Sequence, residues 1–321
     1  MEGEPTVRDA LNFFQLRRRT TLKLIVGAGL GWRWGIASAT ASGSLLTRKI
    51  PSTGETLPAI GLGTSDEFSI APGESVEPLR EVLQRFVELG GRMIDTAPAY
   101  GNAEEVIGRL VGELGIGDRV FMATKIGVHG KAAGVEQMQR SEQLLKKRPL
   151  DLIQVHSLID VGTQLENLRR WKDAGRTRYV GITASKASAF TDLERLMRSE
   201  KLDFVQLNYS FTEPDAEKRL LPLAADKGIA VITNRPFENG ALFTKVKGKP
   251  LPAWASEFDC RSWAQFSLKY ILSHPAVTCV IPATSNPRHL IDNMAAGVGA
   301  LPDARTRERM RELGAVYHAR S

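Results

Sequence analysis

Short apolar runs alternate with amphipathic segments along most of this chain. The runs are continuous and rich in β-branched residues, which is typical of parallel strands covered on both faces. We predict eight strands, at Ala59–Gly63, Met93–Asp95, Val120–Lys125, Leu152–His156, Tyr179–Thr183, Phe204–Asn208, Ala230–Thr233 and Val277–Pro282. Segments of helical periodicity follow them, near 76–89, 103–114, 136–147, 163–174, 187–199, 216–227, 261–273 and 287–296, with a last helix at about 303–316. A hairpin is expected around Ile50–Gly54, before the first of these strands.

This rhythm predicts an α/β fold, a (β/α)8 TIM barrel that forms a single domain over residues 42–321. A doubly wound open sheet is the alternative. It is disfavoured because no G-x-G-x-x-G follows an early strand and the sequence contains no P-loop. In a TIM barrel the active site lies at the carboxyl ends of the strands, so the last residue of each strand is a candidate for function.

Residues 1–41 follow a different pattern. A basic stretch, Arg17–Lys23, precedes the Gly-rich apolar run Leu24–Gly31, and small residues follow. Two A-x-A cleavage sites end the segment, Ala37–Ala39 and Ala39–Ala41. This order predicts a secretory signal. It resembles a twin-arginine translocation signal, with Arg18 and Arg19 as the pair.

The resemblance implies the export machinery as a partner, with the protein cytoplasmic before export and periplasmic or otherwise exported afterwards. The alternative is an uncleaved anchor helix, although the apolar run is short and interrupted for a membrane span.

Composition narrows the possible functions. The chain is 42% hydrophobic and 25% charged, as expected of a globular protein. Of its net charge of +7, residues 1–41 contribute +3, from six basic and three acidic side chains, and the other 280 residues contribute +4. The remainder contains no basic run with interleaved aromatics, so we do not expect nucleic-acid binding. The five histidines are scattered without an H-x-x-x-H pair, so no metal site is predicted.

Four reactive side chains fall at the ends of three successive predicted strands. The second strand ends in Asp95 with Tyr100 in the following turn, the third ends in Lys125, and the fourth ends in His156. A phenol, with a pKa near 10, is a poor acid or base near neutrality. A neighbouring ammonium stabilises the phenolate, and a carboxylate keeps that ammonium charged and in place. With a histidine to orient a substrate oxygen, this set suits proton donation to a carbonyl while another group delivers hydride.

These residues also carry a family resemblance. The motif Asp95-Thr-Ala-x-x-Tyr100-Gly-x-Ala-Glu104, Lys125 and the run Asp151–His156 resemble the signature of the aldo-keto reductases, and the similarity extends from about Pro58 to Ala296. The resemblance implies a barrel that binds NAD(P)H across its carboxyl face. It also implies that Tyr100 is the general acid, that Lys125 and Asp95 support it, and that His156 orients the carbonyl. The nicotinamide would then deliver hydride to the carbonyl carbon.

The same resemblance implies a set of residues that bind the nicotinamide. Gln206 and Thr183 match positions that hold the carboxamide, while Ala184 replaces the usual amide side chain. Asn234 lies where an aromatic often stacks on the ring. Its neighbour Arg235 could stack its guanidinium plane or reach the pyrophosphate, and the sequence leaves both roles open.

A second set matches positions around the adenosine end of the cofactor. Ser285 and Asn286 are expected to cap the helix after the eighth strand, whose N-terminal N–H groups form an anion site. Asp292 and Asn293 match positions that hold the adenine. Ala283 and His289 lie where NADP-preferring members commonly carry a Lys and an Arg, and Arg288, next to His289, could substitute for the Arg. We expect NADP(H) rather than NAD(H).

We therefore predict a nicotinamide-dependent enzyme that reduces aldehydes or ketones or oxidises alcohols in reverse, as a monomer or small homo-oligomer. The alternative is a nucleotide-binding regulatory or partner subunit with little turnover, which the departures at Ala184 and Asn234 would suit. Two loops are expected to wall the substrate pocket, Gly127–Gly134 and Glu238–Asp259. The second contains Phe243, Trp254 and Phe258 and suggests an apolar wall, with ordinary loop packing as the alternative.

Overall fold

Eight parallel strands form the centre of the molecule, in the same order as in the sequence. The computed structural model describes residues 43–318, so the predicted signal at 1–41 lies outside the described residues. The strands are β3 (Leu62–Gly63), β4 (Met93–Asp95), β5 (Phe121–Ile126), β6 (Leu150–His156), β7 (Thr177–Thr183), β8 (Phe204–Asn208), β9 (Ala230–Asn234) and β10 (Val277–Val280). Parallel bridges from Ile60 to Val280 and from Gly63 to Ala283 join the two edges. The predicted (β/α)8 barrel is confirmed.

The helices surround this sheet. Within residues 43–318 they are α1 (Glu77–Glu88), α2 (Ala103–Glu113), α3 (Lys131–Leu145), α4 (Val161–Asp173), α5 (Phe190–Ser199), α6 (Leu220–Lys227), α7 (Ala241–Lys245), α8 (Trp263–Leu272), α9 (Pro287–Ala295) and α10 (Ala304–His318). None of the helices in this part of the chain is both long and apolar enough to cross a membrane.

An antiparallel hairpin precedes the barrel, as expected from the turn at Ile50–Gly54. Its strands are β1 (Thr47–Lys49) and β2 (Thr56–Pro58), paired from Thr47 with Pro58 to Lys49 with Thr56. Ile50 and Leu57 are fully buried and belong to the apolar cluster inside the barrel. The hairpin therefore helps to close one end of the barrel interior.

Two of the predicted strands have the observed bounds, and others differ by a few residues. Helix α3 begins at Lys131, five residues before the predicted start near 136, and α7 was not predicted. Helix α7 has only five residues, too few to show a helical period, and it follows Gly240, whose φ of +89° turns the chain into it.

The strand alternation divides the barrel interior into an apolar and a polar layer. Successive side chains of a strand point to opposite faces, so every second residue points inward. On β5 the inward residues begin with Phe121 and end with Lys125, and on β6 they run from Leu152 to His156. The apolar members of this face pack in one buried cluster, including Met93, Phe121, Leu152, Tyr179, Phe204 and Ile232. Polar side chains replace them toward the carboxyl ends of the strands.

Candidate active site

A buried ion pair lies at the centre of the polar layer. Lys125 Nζ donates to Asp95 Oδ2 at 2.6 Å and to the carbonyl oxygen of Thr96 at 2.9 Å. The side chains are 1% and 3% exposed. Burial lowers the pKa of Lys125, but Asp95 and then Tyr100 raise it, and the net change is upward. The ammonium is therefore charged inside the barrel.

Tyr100 and His156 lie beside this pair. Lys125 Nζ is 4.9 Å from the centroid of the Tyr100 ring. The His156 ring meets the Tyr100 ring edge to face, with centroids 6.0 Å apart and planes at 86°. The structure thus brings the four predicted catalytic residues together.

The His156 imidazole is neutral at physiological pH. Burial, and then the positive charge of Lys125, lower the pKa of His156 to about 4, against a smaller opposing effect of Asp95. A neutral imidazole can donate one hydrogen bond and accept another, which suits it to orienting a carbonyl oxygen.

The second carboxylate oxygen of Asp95 accepts hydrogen bonds from two amides. Gln206 Nε2 donates to Asp95 Oδ1 at 2.9 Å, and Gln154 Nε2 donates to it at 3.3 Å. Gln154 was not among the predicted site residues. Its position two residues before His156 on the same strand was the available signal, since side chains two apart share a face.

The residues predicted to hold the nicotinamide form a connected group. Thr183 Oγ1 donates to Gln206 Oε1 at 3.0 Å, and Asn234 Nδ2 donates to the same oxygen at 3.3 Å. Arg235 donates from Nη1 to the carbonyl of Ser185 at 3.0 Å, and its φ is +51°. In the described part of the chain, Asn234 Oδ1 and Arg235 Nε have no hydrogen-bond partner although both are buried.

The N-terminus of α9 differs from the prediction at one residue. Asn286 is the N-cap, and its Oδ1 accepts from the Arg288 N–H at 2.9 Å. The predicted capping role of Ser285 is wrong. Its N–H and its hydroxyl instead donate to Glu67 Oε2, at 2.8 and 2.5 Å. The reason is tertiary, because Glu67 reaches Ser285 from the loop after β3.

The predicted adenine-side residues lie on α9. Asp292 accepts from Ser262 Oγ and Gln265 Nε2, each at 2.6 Å, so its carboxylate is tied to the first turn of α8. Asn293 is buried and His289 is exposed.

One cavity connects these groups. It has a volume of about 860 Å³. Its lining includes the residues predicted to hold the nicotinamide and the catalytic side chains except Lys125. From the residues predicted at the adenosine end it includes His289, Asp292 and Asn293, together with Thr284. Within the described residues, no group of three or more His, Cys, Asp and Glu side chains could hold a metal ion.

Asn102, the residue before α2, pairs with the backbone of Ile70, accepting from its N–H at 3.0 Å and donating to its carbonyl at 2.9 Å.

Two expectations about the loops change. The apolar wall comes from Phe237, Phe243 and Trp263. Trp254 and Phe258 instead pack on the buried ring of Phe266. The loop Gly127–Gly134 does not line the cavity formed by the described residues.

A model of the aldo/keto reductase family matches residues 59–309. The chain belongs to the aldo/keto reductase family. The matched region includes all eight barrel strands and all of the predicted site residues, and it begins after the hairpin.

Several named proteins are similar to this chain. Aldo-keto reductase YhdN of Bacillus subtilis (strain 168) is 28% identical over 213 residues, which is 61% of this chain. That match spans 63% of YhdN, just under two thirds of its length. L-galactose dehydrogenase of Arabidopsis thaliana is 25% identical over 78% of this chain and 87% of its own. An aldo-keto reductase from Klebsiella pneumoniae in complex with NADPH has a TM-score of 0.70 at 22% identity, over 84% of this chain and 95% of that one.

The cavity of this aldo/keto reductase fits an extended nicotinamide nucleotide at its catalytic end. The unpaired Asn234 Oδ1 and Arg235 Nε lie at the wall where the nicotinamide is expected, and they offer an acceptor and a donor. At the end of the cavity where the adenosine is expected, the Ser285 N–H already donates to the Glu67 carboxylate. Ala283, which lines this end of the cavity, supplies no positive charge for a second phosphate group.

Proposed function

We propose that this aldo/keto reductase is an NADP(H)-dependent enzyme that reduces the carbonyl of aldehydes or ketones and oxidises alcohols in reverse. The observation that carries the proposal is the Lys125 ammonium, which is buried 2.6 Å from Asp95 and 4.9 Å from the Tyr100 ring. A buried charge of this kind is costly unless it is paired. Its place beside a cavity-lining phenol favours a role in proton transfer.

The chain's own residues provide the proton chemistry. Bound nicotinamide would supply the hydride. Tyr100 would donate its proton to the carbonyl oxygen as charge develops there, and Lys125 would stabilise the phenolate that remains. The neutral His156 would hold the carbonyl oxygen by a hydrogen bond and orient it toward Tyr100. Asp95 keeps Lys125 charged and fixes its position.

The choice of NADP(H) over NAD(H) draws on a relative. The Klebsiella pneumoniae protein was solved with NADPH. In this chain Thr183, Gln206 and Asn234 would hold the carboxamide, and Arg235 would contact the pyrophosphate or the ring. The N-terminus of α9, with Ser285, Asn286 and His289, and the pair Asp292 and Asn293 would take the adenosine end. The assembled catalytic group favours the reductase over the regulatory alternative.

The test begins with fluorescence quenching by NADPH and NADH, followed by a panel of carbonyl substrates. Tyr100→Phe is expected to lower turnover by about 10²- to 10⁴-fold, the range for loss of a general acid. Cofactor affinity should stay the same, because the change removes one hydroxyl. Retained turnover would rule out Tyr100 as the acid. Tight cofactor binding without hydride transfer to any carbonyl would support the regulatory alternative.

We also propose that residues 1–41 direct export by the twin-arginine route and that cleavage follows Ala39 or Ala41. The support is the basic pair Arg18 and Arg19 ahead of an apolar run and two A-x-A sites. Replacing both arginines with lysine should keep the precursor in the cytoplasm, and mass spectrometry of the exported wild type should give a start at residue 40 or 42. A precursor that is exported equally well with both lysines would contradict this route.

Export separates the enzyme from cytoplasmic nicotinamide cofactors. The twin-arginine route carries folded proteins, so we propose that the cofactor is bound before transport and released very slowly. Protein purified from the exported fraction should then contain NADP(H), and stopped-flow release should be slow. Empty protein that binds the cofactor weakly would contradict this account.

A further inference from the structure

We propose that Gln154 is a positioning residue for the catalytic group. Its amide holds the Asp95 carboxylate and offsets part of its negative charge, which leaves Lys125 free to stabilise the phenolate of Tyr100. The proposal rests on the proposed reductase function for its catalytic consequence, but its electrostatic part concerns the protein alone.

The strand register places Gln154 next to the ion pair. Lys125 on β5 and Gln154 on β6 are paired residues, so their side chains leave the sheet side by side on the inner face. Gln154 is fully buried, and its Nε2 lies 3.3 Å from Asp95 Oδ1. The lysine acts on one oxygen of the carboxylate and the amide acts on the other.

The carbonyl oxygen of the Gln154 side chain indicates that packing alone does not account for a glutamine at this position. Within residues 43–318 its Oε1 has no hydrogen-bond donor, although the atom is buried. A buried carbonyl without a donor destabilises the fold. The preceding inward residue on β6 is Leu152, and an apolar side chain of similar volume at 154 would avoid this cost. Among the described residues, the hydrogen bond to Asp95 is the favourable polar contact that Gln154 makes.

Gln206 does not make Gln154 redundant. Gln206 also donates to Asp95 Oδ1, but it lines the cavity, and its Oε1 is shared by Thr183 and Asn234. Its side chain is therefore open to rearrangement when a ligand enters. Gln154 does not line the cavity, so its bond to Asp95 is shielded from the ligand.

The direction of the effect follows from electrostatics. Asp95 keeps Lys125 charged, but its negative charge also opposes a phenolate nearby. An amide donor draws electron density from the carboxylate and reduces that opposition. Removing the Gln154 donor should therefore make the Tyr100 phenolate harder to form. Proton donation to a carbonyl should become slower, and the loss of activity at alkaline pH should begin at a higher pH.

The test uses Gln154→Met, which retains the length and volume of the side chain but removes its donor. Gln164→Met is the matched control. Gln164 is also fully buried, but it lies on α4 and donates to the carbonyls of Val128 and Gly130. Each variant is compared with wild type by thermal unfolding, by NADPH affinity and by the pH dependence of kcat for carbonyl reduction.

A second readout needs neither cofactor nor turnover. The chain has five tyrosines, and burial raises the pKa of Tyr179, Tyr209 and Tyr270. Subtracting the ultraviolet pH titration of Tyr100→Phe from that of the wild type isolates the absorbance change of Tyr100. The same subtraction is made in the Gln154→Met background.

We expect the Tyr100 absorbance change in Gln154→Met to develop at a pH higher by roughly half a unit to one unit. The kcat for reduction should fall by about tenfold with its alkaline limb moved the same way, while the NADPH affinity stays within about twofold. Gln164→Met should show neither pH shift. Coincident titrations in Gln154→Met and wild type would overturn the positioning role. A shifted titration in a protein without hydride transfer would retain that role and reject the reductase function.

Discussion

The Lys125 ammonium donates to Asp95 Oδ2 at 2.6 Å in a part of the barrel that is almost closed to water, with 1% and 3% of the two side chains exposed. The residues come from adjacent parallel strands, 30 positions apart in the chain. Each is the partner that makes burial of the other possible. Breaking such a pair by removing one partner leaves an uncompensated charge.

We expect the effects of removing Asp95 and Lys125 on stability to be coupled, which a double-mutant cycle measures. Asp95→Asn and Lys125→Met should each lower the free energy of unfolding by about 3–5 kcal/mol. The double variant should lose less than the sum, because neither charge then remains alone. Urea unfolding of the cofactor-free wild type, the two single variants and the double variant measures the four free energies of unfolding. Additive losses would show that the pair does not stabilise the fold as a unit.

The lowered pKa of His156, about 4, predicts the pH dependence of both activity and stability. The imidazole should stay neutral over most of the range in which the enzyme works, so reduction should show no acidic limb at the ordinary histidine pKa of about 6.5. In the unfolded chain His156 takes up a proton below about pH 6.5, whereas the folded protein does so only near 4. Its contribution to stability therefore decreases as pH falls through this interval. NMR titration of the His156 ring checks the assignment, and an inflection near 6.5 would contradict it.

Removing the negative charge of Glu67 is expected to change the affinity for the cofactor. Its carboxylate accepts from the N–H and hydroxyl of Ser285, just before α9, where an anionic group would otherwise be favoured. Glu67→Gln should increase the affinity for NADPH by about tenfold, equivalent to about 1.4 kcal/mol, and should change that for NADH much less. Fluorescence quenching measures both.

Asp66→Asn is the matched control for Glu67→Gln, because Asp66 is the adjacent acid and lines the same cavity but is not bonded to Ser285. If Asp66→Asn changes NADPH affinity as much as Glu67→Gln does, the effect comes from general charge and not from competition for Ser285.

The partly buried carboxylate of Glu217, outside the catalytic site, is expected to affect stability alone. Glu217 Oε1 accepts from Tyr270 at 2.7 Å, from Arg307 of α10 at 2.5 Å, and from Tyr209. Burial raises the pKa of Glu217, but hydrogen bonds from both tyrosines and the charge of Arg307 lower it, and the net change is downward. The carboxylate therefore stabilises the fold at neutral pH. This contribution is lost as pH falls through and below the ordinary glutamate range.

Glu217→Gln should accordingly destabilise the protein at pH 7 by about 2–4 kcal/mol, and the difference should shrink toward pH 3. Thermal unfolding at several pH values measures this, while kcat should be unchanged. Glu308→Gln, an exposed acid of α10 that pairs with Arg311, is the control and should have almost no effect. Equal losses in the two variants would contradict a special role for the Glu217 group.

Most of the fold could be predicted from local patterns. Met93–Asp95 and Phe204–Asn208 have their predicted bounds because a continuous apolar run can be placed without knowledge of its neighbours. Helix α7 could not be found in this way. Its five residues are shorter than the pattern that would reveal them, and tertiary contacts rather than local propensity hold it.

The catalytic group could be predicted because the carboxyl ends of all barrel strands lie at the same face, where the active site forms. Asp95, Lys125 and His156 each end an apolar run or lie one residue from its end, and adjacent parallel strands bring such positions together. Gln154 escaped prediction because it lies inside its strand, and the hydrogen bond that gives it a role joins it to a residue 59 positions away.

By itself the sequence determined the order of strands and helices, the barrel and the positions of the acid, phenol, amine and imidazole, because each depends on local periodicity or on the end of a strand. Tertiary structure alone decided three contacts between distant segments. Ser285 donates to Glu67 instead of capping α9, and Asn102 pairs with the backbone of Ile70. Gln154 and Gln206 donate to the same oxygen of Asp95. Side-chain hydrogen bonds between distant segments depend on where the backbone places donor and acceptor. Distances of about 3 Å cannot be obtained from residue spacing.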